Sequence, residues 1–568
     1  MIDETIRFSA ARKRLLRRRR IRIAVFILVA TLALIVDVWT AVRLYQNAPE
    51  GDAKIYSRVA VNVLEHHVFS TDEQPDANGQ YKPSIIRLPG YPLFLTVIYA
   101  VAGSENYTAV RAVQGVLHFI AAIFAALLAF NWVGGKKRRR RTAALLTFIL
   151  AAFCPYTINY SAVLLTEIVT VFLMIAMMLA ATYAIKSSGL RNAILFWALA
   201  GILGGAVVEV RPDSGLFGLG LGVALVIAAL ARNEIRKAIL PMLAAGMAFT
   251  LAFLLVLTPW TIRNERVFGQ FQPLAPEHAE APGEFVPLGY YHWLRTWIDD
   301  FRYVSPMLWE LEIHRIDINK IPDSAFTDEQ EKAEVTALID QYNNSDPDHP
   351  MTPKKPAADS DDNDNNDDSA DSDDNNNDDN DQDSDDNGDD EQEQPDQELD
   401  LKISPAADAE FEKIAERRIA NAPMRYYLVL PAERAATMWF DTHSEFYPFA
   451  GEIFPVEDID SSVHQDIWLP LFAAGVWIYT LLALAGIILL SASGWPRARI
   501  WVTMALLIAV PRVAFFGTLE NPEPRYLMEL FFIAAILGGI ALSRFRFTLG
   551  HGKFGLTINY GRDRNTKL

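Results

Sequence analysis

The sequence predicts an all-α protein that crosses a membrane about ten times, with a juxtamembrane or re-entrant element and a mixed extracytoplasmic region containing a disordered acidic insert. Three observations lead there. Of the 568 residues, 51% are hydrophobic and only 21% charged, with a mean hydropathy of +0.11, although the formal net charge is -17. Apolar runs long enough to span about 30 Å of hydrocarbon recur along the chain. The acid is also confined: residues 359–400 hold 22 Asp and Glu and no Lys or Arg, which leaves 47 acids against 52 bases elsewhere, a net +5. A soluble chain that acidic would rarely be so apolar, and no nucleic-acid partner is expected.

Taken in order, the basic "ARKRLLRRRRIR" of a tail over 1–22 is held on the cytoplasmic side by the positive-inside bias, so the helix at 23–42 exits outward. That run has no small-residue cleavage site after it and reads as a retained anchor rather than a removed signal. The next basic cluster, Lys136 to Arg141, belongs on the same side, which requires an even number of crossings between the two. Three apolar stretches lie there, at 23–42, 84–103 and 106–133, so one does not span. Pro89, Gly90 and Pro92 disturb the first turn of 84–103, which makes it the outer-face element within a loop over 43–105. Irregular backbone at that depth needs protein around it.

Further spans are expected at 142–158, 163–185, 193–210, 214–231 and 238–258, which completes an N-terminal membrane module over 23–258. Residues 259–466 form an extracytoplasmic region. Its insert at 357–400 has almost nothing apolar to bury and is expected to be disordered. Asp383, Asp385, Asn387 and Gly388 match the first half of a calcium loop, but Gln394 stands where a bidentate carboxylate is required. Spans at 467–491, 500–518 and 526–543 close the membrane part, and 544–568 is a second cytoplasmic basic tail. The single cysteine, Cys154, excludes an intrachain disulfide.

Ionisable groups inside apolar runs are costly and therefore informative. On this topology Asp37, Glu167, Glu209, Arg512 and Glu529 lie in the outward halves of their helices, with Asp52, Arg87, Arg211, Arg263 and Arg525 just beyond helix ends. A polar cavity at the outer leaflet is implied. A transporter or flippase would place such groups nearer the midplane, commonly in two related halves; a membrane scaffold would need none of them.

The order of "GDAKIYSRVAVNVLEHHVFS", "RLPGYPLFLTVIYAVAG", "SAVLLTEIVTVFL", "VRPDSG", "TPWTIRN" and "ENPEPRYLMELFF" resembles membrane glycosyltransferases of the C-type fold. More narrowly, it is similar to the bacterial branch related to protein O-mannosyltransferases and aminoarabinose lipid A transferases. The resemblance implies an inverting transfer from a polyprenyl-phosphate-linked sugar to a glycan, lipid or protein acceptor, at the extracytoplasmic face of a bacterial cytoplasmic membrane, with membrane lipid as surroundings. It places the catalytic base at Asp52. Arg87 and Arg525 then suit the lipid phosphate, with Arg211 a further fork, because a guanidinium matches phosphate oxygens in pairs. Tyr91 would lie by the sugar or prenyl chain, Tyr526 belongs to a "PRY" element similar to one near the lipid phosphate in relatives, and Glu167 would orient acceptor or sugar hydroxyls. Ala53 stands where relatives often carry Glu, which puts a protein acceptor and a metal role in question; neither cofactor nor metal is expected.

Overall fold

A computed structural model describes residues 24–558, apart from 25, 44–48, 232–234, 277, 279, 281–282, 348–398, 442–462, 496 and 551–552. The basic tail at 1–22, nearly all of the acidic insert and the end of the second basic tail lie outside the described residues. The chain divides into two compact units: one built from Met1–Val286, Ile298–Phe301 and Ala422–Leu568, the other from Pro287–Trp297 and Arg302–Asn421.

The first unit opens with α1 (Phe26–Arg43), α2 (Gly51–Val61), α3 (Gly90–Ala102), α4 (Tyr107–Trp132), α5 (Lys137–Ala152) and α6 (Pro155–Tyr160). It continues with α7 (Glu167–Lys186), α8 (Leu190–Val210), α9 (Leu216–Leu230) and α10 (Ile235–Phe268). In the second unit α11 (Leu288–Arg295), α12 (Glu329–Asn343) and α13 (Pro405–Asn421) follow; the chain then returns to the first with α14 (Leu430–Phe440), α15 (Val463–Ser491), α16 (Ala498–Gly517) and α17 (Leu530–Leu542).

Among the described residues, eight helices are long and apolar enough to cross a membrane. Two of the ten expected spans are shorter than anticipated. The run at 142–158 becomes α5, which starts early in the basic cluster and ends before Pro155, where a new short helix begins. The run at 526–543 is delayed by a tight turn at Pro524–Leu527, so α17 has only 13 residues. Conversely, α10 runs on through Pro259 to Phe268, ten residues past the expected end. The 84–103 segment forms its helix only from Gly90, and 13 residues rise about 20 Å, short of the hydrocarbon thickness. One departure from helix is an antiparallel hairpin of β1 (Phe545–Gly550) and β2 (Lys553–Ile558), in a stretch that alternates apolar and polar residues.

Between membrane helices the driving terms are close packing and buried hydrogen bonds, roughly 0.6–2 kcal/mol per bond. α7 is buried along most of its length, whereas α10 exposes nearly all of its apolar face. The short α17 is apolar all round and buried all round. Gly539 makes that possible: a Cβ there would lie 2.1 Å from Thr147 Oγ1 of α5. Trp132 stacks on Trp501 with ring centres 5.7 Å apart and donates its Nε1 hydrogen to Thr182 Oγ1 at 3.0 Å.

Residues 161–166, between α6 and α7, are not helical. Three of their carbonyls are satisfied from α4: Gln114 Nε2 donates to Ser161 at 3.0 Å and Val163 at 2.7 Å, and Arg111 Nε to Ala162 at 3.0 Å. This is how irregular backbone survives at membrane depth. It also fixes the start of α7, where Glu167 stands.

The second unit has its own aromatic core, in which Tyr290 and Trp293 of α11 pack on Phe411 of α13. Asp328 caps α12 by accepting from the Glu331 amide at 2.8 Å, while the Glu331 side chain reaches back to the Thr327 amide at 3.1 Å.

Candidate active site

Three proline-containing breaks converge on one cavity of about 250 Å³. A residue before proline is driven out of the helical region into extended backbone. Arg211, ahead of Pro212, has φ −146° and ψ 118° at the end of α8. Glu523, ahead of Pro524, has φ −80° and ψ 128° and starts the turn that carries Arg525 and Tyr526. The third break, "RLPG", brings Arg87 in just before α3. α3 can approach only because residue 90 is glycine: a Cβ there would lie 2.5 Å from the Glu209 carbonyl oxygen of α8.

Asp52, in the first turn of α2, is 35% exposed through its side chain and faces two guanidinium groups. Arg87 Nη2 donates to its Oδ1 at 2.8 Å, and Arg525 Nη2 is 3.6 Å from its Oδ2. Arg525 is itself gripped from behind, with Nε 2.6 Å from Oε2 of the fully buried Glu523, an ion pair by distance whose angle does not complete a hydrogen bond. Burial pushes the Glu523 carboxyl up to about 7 against the downward pull of Arg525. Tyr56, also on the wall, is pushed up to about 12 by burial and then by Asp52, and stays a neutral hydroxyl.

A second, deeper network braces the floor. Arg211 Nη1 donates to Glu167 Oε1 at 2.9 Å and its Nε reaches Asp213 Oδ1 at 3.3 Å. Arg512, fully buried on α16, pairs with Asp213, donates to Glu529 at 3.1 Å and to the Tyr526 carbonyl at 2.9 Å. Tyr526 lies under the Arg211 and Arg525 guanidinium groups at 5.4 Å and 5.5 Å, and stacks on Phe516.

Of the residues singled out in the sequence, Asp52, Arg87, Glu167, Arg211, Arg525 and Tyr526 all line the cavity. Tyr91 does not: it is fully buried, gives its hydroxyl hydrogen to Gln114 at 2.8 Å, and packs edge-on against Tyr56. Asp37 is elsewhere, 3.2 Å from Nδ1 of His118, whose Nε2 lies 2.8 Å from Thr157 Oγ1. Glu209 is buried, has no hydrogen-bond partner for its carboxylate among the described residues, and is off the cavity wall. Arg263 donates to the Ser84 carbonyl at 2.8 Å and holds the loop that carries Arg87. Asp213 and Glu523 were missed, although both sit in quoted motifs, each beside a proline. No cluster of His, Cys, Asp and Glu suited to a metal ion occurs among the described residues.

The family model for dolichyl-phosphate-mannose-protein mannosyltransferases matches residues 75–274, about a third of the chain. The matched stretch contains Arg87, Glu167 and Arg211 and leaves Asp52 and Arg525 outside it. No curated protein matches the chain. Among solved structures, the archaeal oligosaccharyltransferase AglB from Archaeoglobus fulgidus, in complex with an inhibitory peptide and a dolichol-phosphate, is 13% identical with a TM-score of 0.44. The alignment covers 91% of this chain but 50% of that one, so this chain spans half the length of AglB. ArnT from Cupriavidus metallidurans, in its apo state and bound to undecaprenyl phosphate, is 11% identical with a TM-score of 0.34, over 93% and 92% of this chain and 78% of ArnT.

Proposed function

We propose that this integral membrane protein is an inverting glycosyltransferase that moves a sugar from a polyprenyl-phosphate donor to an acceptor hydroxyl, with Asp52 as general base, on the extracytoplasmic side. The observation that carries the reading is a single part-exposed carboxylate clamped between two arginines on the wall of a polar cavity in a membrane-helix bundle. The match of residues 75–274 to the protein mannosyltransferase model supports the same chemistry.

In that reaction Asp52 takes the proton of the acceptor hydroxyl as its oxygen attacks the anomeric carbon, and the bond from that carbon to the phosphate oxygen breaks with its electron pair on the phosphate. The departing phosphate needs no acid, only charge stabilisation, and Arg87 and Arg525 supply it. Both arginines rest on Asp52 before donor arrives. Donor phosphate draws them toward itself and leaves the carboxylate free to accept a proton, so the base is uncovered only when there is a bond to break.

Asp52→Asn retains size and most contacts but removes the basic oxygen. Transfer from a polyprenyl-phosphate sugar in nanodiscs should fall about 10²–10⁴-fold, while donor binding persists. Transfer by the variant at close to the parent rate would place the base elsewhere. Donor translocation without a new glycosidic bond would remove the assignment altogether.

A further inference from the structure

Far from the cavity, the 20-residue α7 that begins at Glu167 ends at Lys186, so the two side chains mark opposite ends of a helix about 30 Å long. Lys186 is half-buried and its ammonium donates to Asn131 Oδ1 at 2.6 Å, leaving two of its three hydrogens unused. Arg140 of α5 and Arg497, which precedes α16, are close enough to repel it. Both are also half-buried. Arg140 is fixed rather than waving in solvent: its Nε donates to the Phe130 carbonyl at 2.9 Å and its guanidinium lies over the Phe130 ring at 4.0 Å. Its two terminal nitrogens have no partner among the described residues.

Loop cations at the end of a membrane bundle are usually solvated and need no ligand, and Lys136, Lys137 and Arg138 fit that description because all three are exposed. The inner three do not. No carboxylate lies within ion-pair distance of Lys186, Arg140 or Arg497 among the described residues, so the half-buried Lys186 charge faces two further half-buried cations with no counter-ion. The loop before α5 is closed against the segment before α16, since a Cβ on Gly134 would meet the Trp495 ring at 3.0 Å. Leu190, four residues beyond Lys186, is half exposed at the start of α8, so apolar surface continues from the cations along the bundle.

We propose that Lys186, Arg140 and Arg497 form a site for the phosphodiester headgroup of an anionic lipid, at the membrane surface opposite the candidate active site. Lysine supplies a point charge and the two arginines supply forks for phosphate oxygens. The headgroup is favoured over free phosphate because the cations sit at the edge of the apolar belt, where a lipid arrives with its chains already lodged.

The test uses the full-length protein in a nonionic detergent, titrated with phosphatidylglycerol, with phosphatidylcholine or with inorganic phosphate. Lipid retention is read by native mass spectrometry and stability by the unfolding midpoint. Phosphatidylglycerol should be retained and should raise the midpoint. The Lys186→Gln, Arg497→Gln double variant should lose about fivefold in affinity per charge removed. The charge-preserving pair Lys186→Arg, Arg497→Lys should retain affinity, which separates lost charge from lost folding. Equal retention by the parent and the neutralised variant overturns the site, as does an equal effect of phosphatidylcholine. Inorganic phosphate reproducing the whole shift overturns the assignment to lipid.

Discussion

Glu523 has no exposed surface and faces Arg525 across 2.6 Å, so it determines how far that arginine can swing toward an incoming phosphate. Its carboxyl is pushed up to about 7 by burial, from an ordinary value of 4.5. A carboxyl that holds its proton more tightly in the folded state favours folding below pH 4.5, and that advantage is lost as pH rises toward 7. The shift corresponds to at most about 3 kcal/mol. Parent protein in detergent should therefore lose stability between pH 5 and 8, and Glu523→Gln should flatten that slope in the unfolding midpoint. Parallel profiles for the two proteins would sink the assignment. Asp52, Arg87 and Arg525 were drawn from the sequence by the motifs that carry the family resemblance, and all three line the cavity. Glu523 and Asp213 were not drawn from it, because an acid two residues from an arginine does not reveal that both turn inward together, or what else the acid meets there. Asp213 pairs with Arg211 two residues before it and also with Arg512, 299 residues away. Tyr91 misled for a related reason: "RLPGYP" says that the chain turns inward, but not which ring reaches the wall.

At the scale of elements, proline and glycine placed the site. Arg211 and Glu523 owe their extended backbones to the prolines that follow, and α3 owes its seat on α8 to Gly90. Gly90→Ala forces a methyl group against backbone that cannot yield like a side chain, and overpacking of this kind costs about 1–3 kcal/mol. Because Arg87 lies three residues upstream, transfer should fall along with the unfolding midpoint. Gly222→Ala on α9, where an added Cβ meets nothing within 4 Å, is the matched control. If both variants behave alike, the α3–α8 approach does not position the site. Run length gave most of the spans, and Pro89 and Gly90 marked where the helix of the 84–103 segment begins. They could not show that α17 falls short, since hydropathy does not register a turn that consumes the first residues of a run, or that α5 stops ahead of Pro155 inside its run.

For the bundle as a whole, polarity is divided between its ends. One end of α7 meets carboxylates and arginines in near balance, and the other meets cations alone. The network around the cavity contains Arg87, Arg211, Arg512 and Arg525 against Asp52, Glu167, Asp213, Glu523 and Glu529, four cations to five anions. Fully ionised, it carries one unit of negative charge before any ligand arrives. A phosphate ester entering such a place must bring a counter-charge with it or take one from water, and an acceptor that can be neutralised is the Glu523 carboxyl behind Arg525, which burial pushes up to about 7. Occupancy and protonation are then one equilibrium. Calorimetric titration with a polyprenyl phosphate at pH 7.5 should give heats that scale with the ionisation enthalpy of the buffer, showing net proton uptake, and the uptake should vanish in Glu523→Gln. Heats independent of buffer would mean that the fifth anion is compensated elsewhere. The cavity would act, in this sense, as a proton-coupled receptor, whose grip on its lipid weakens as the surrounding medium becomes alkaline.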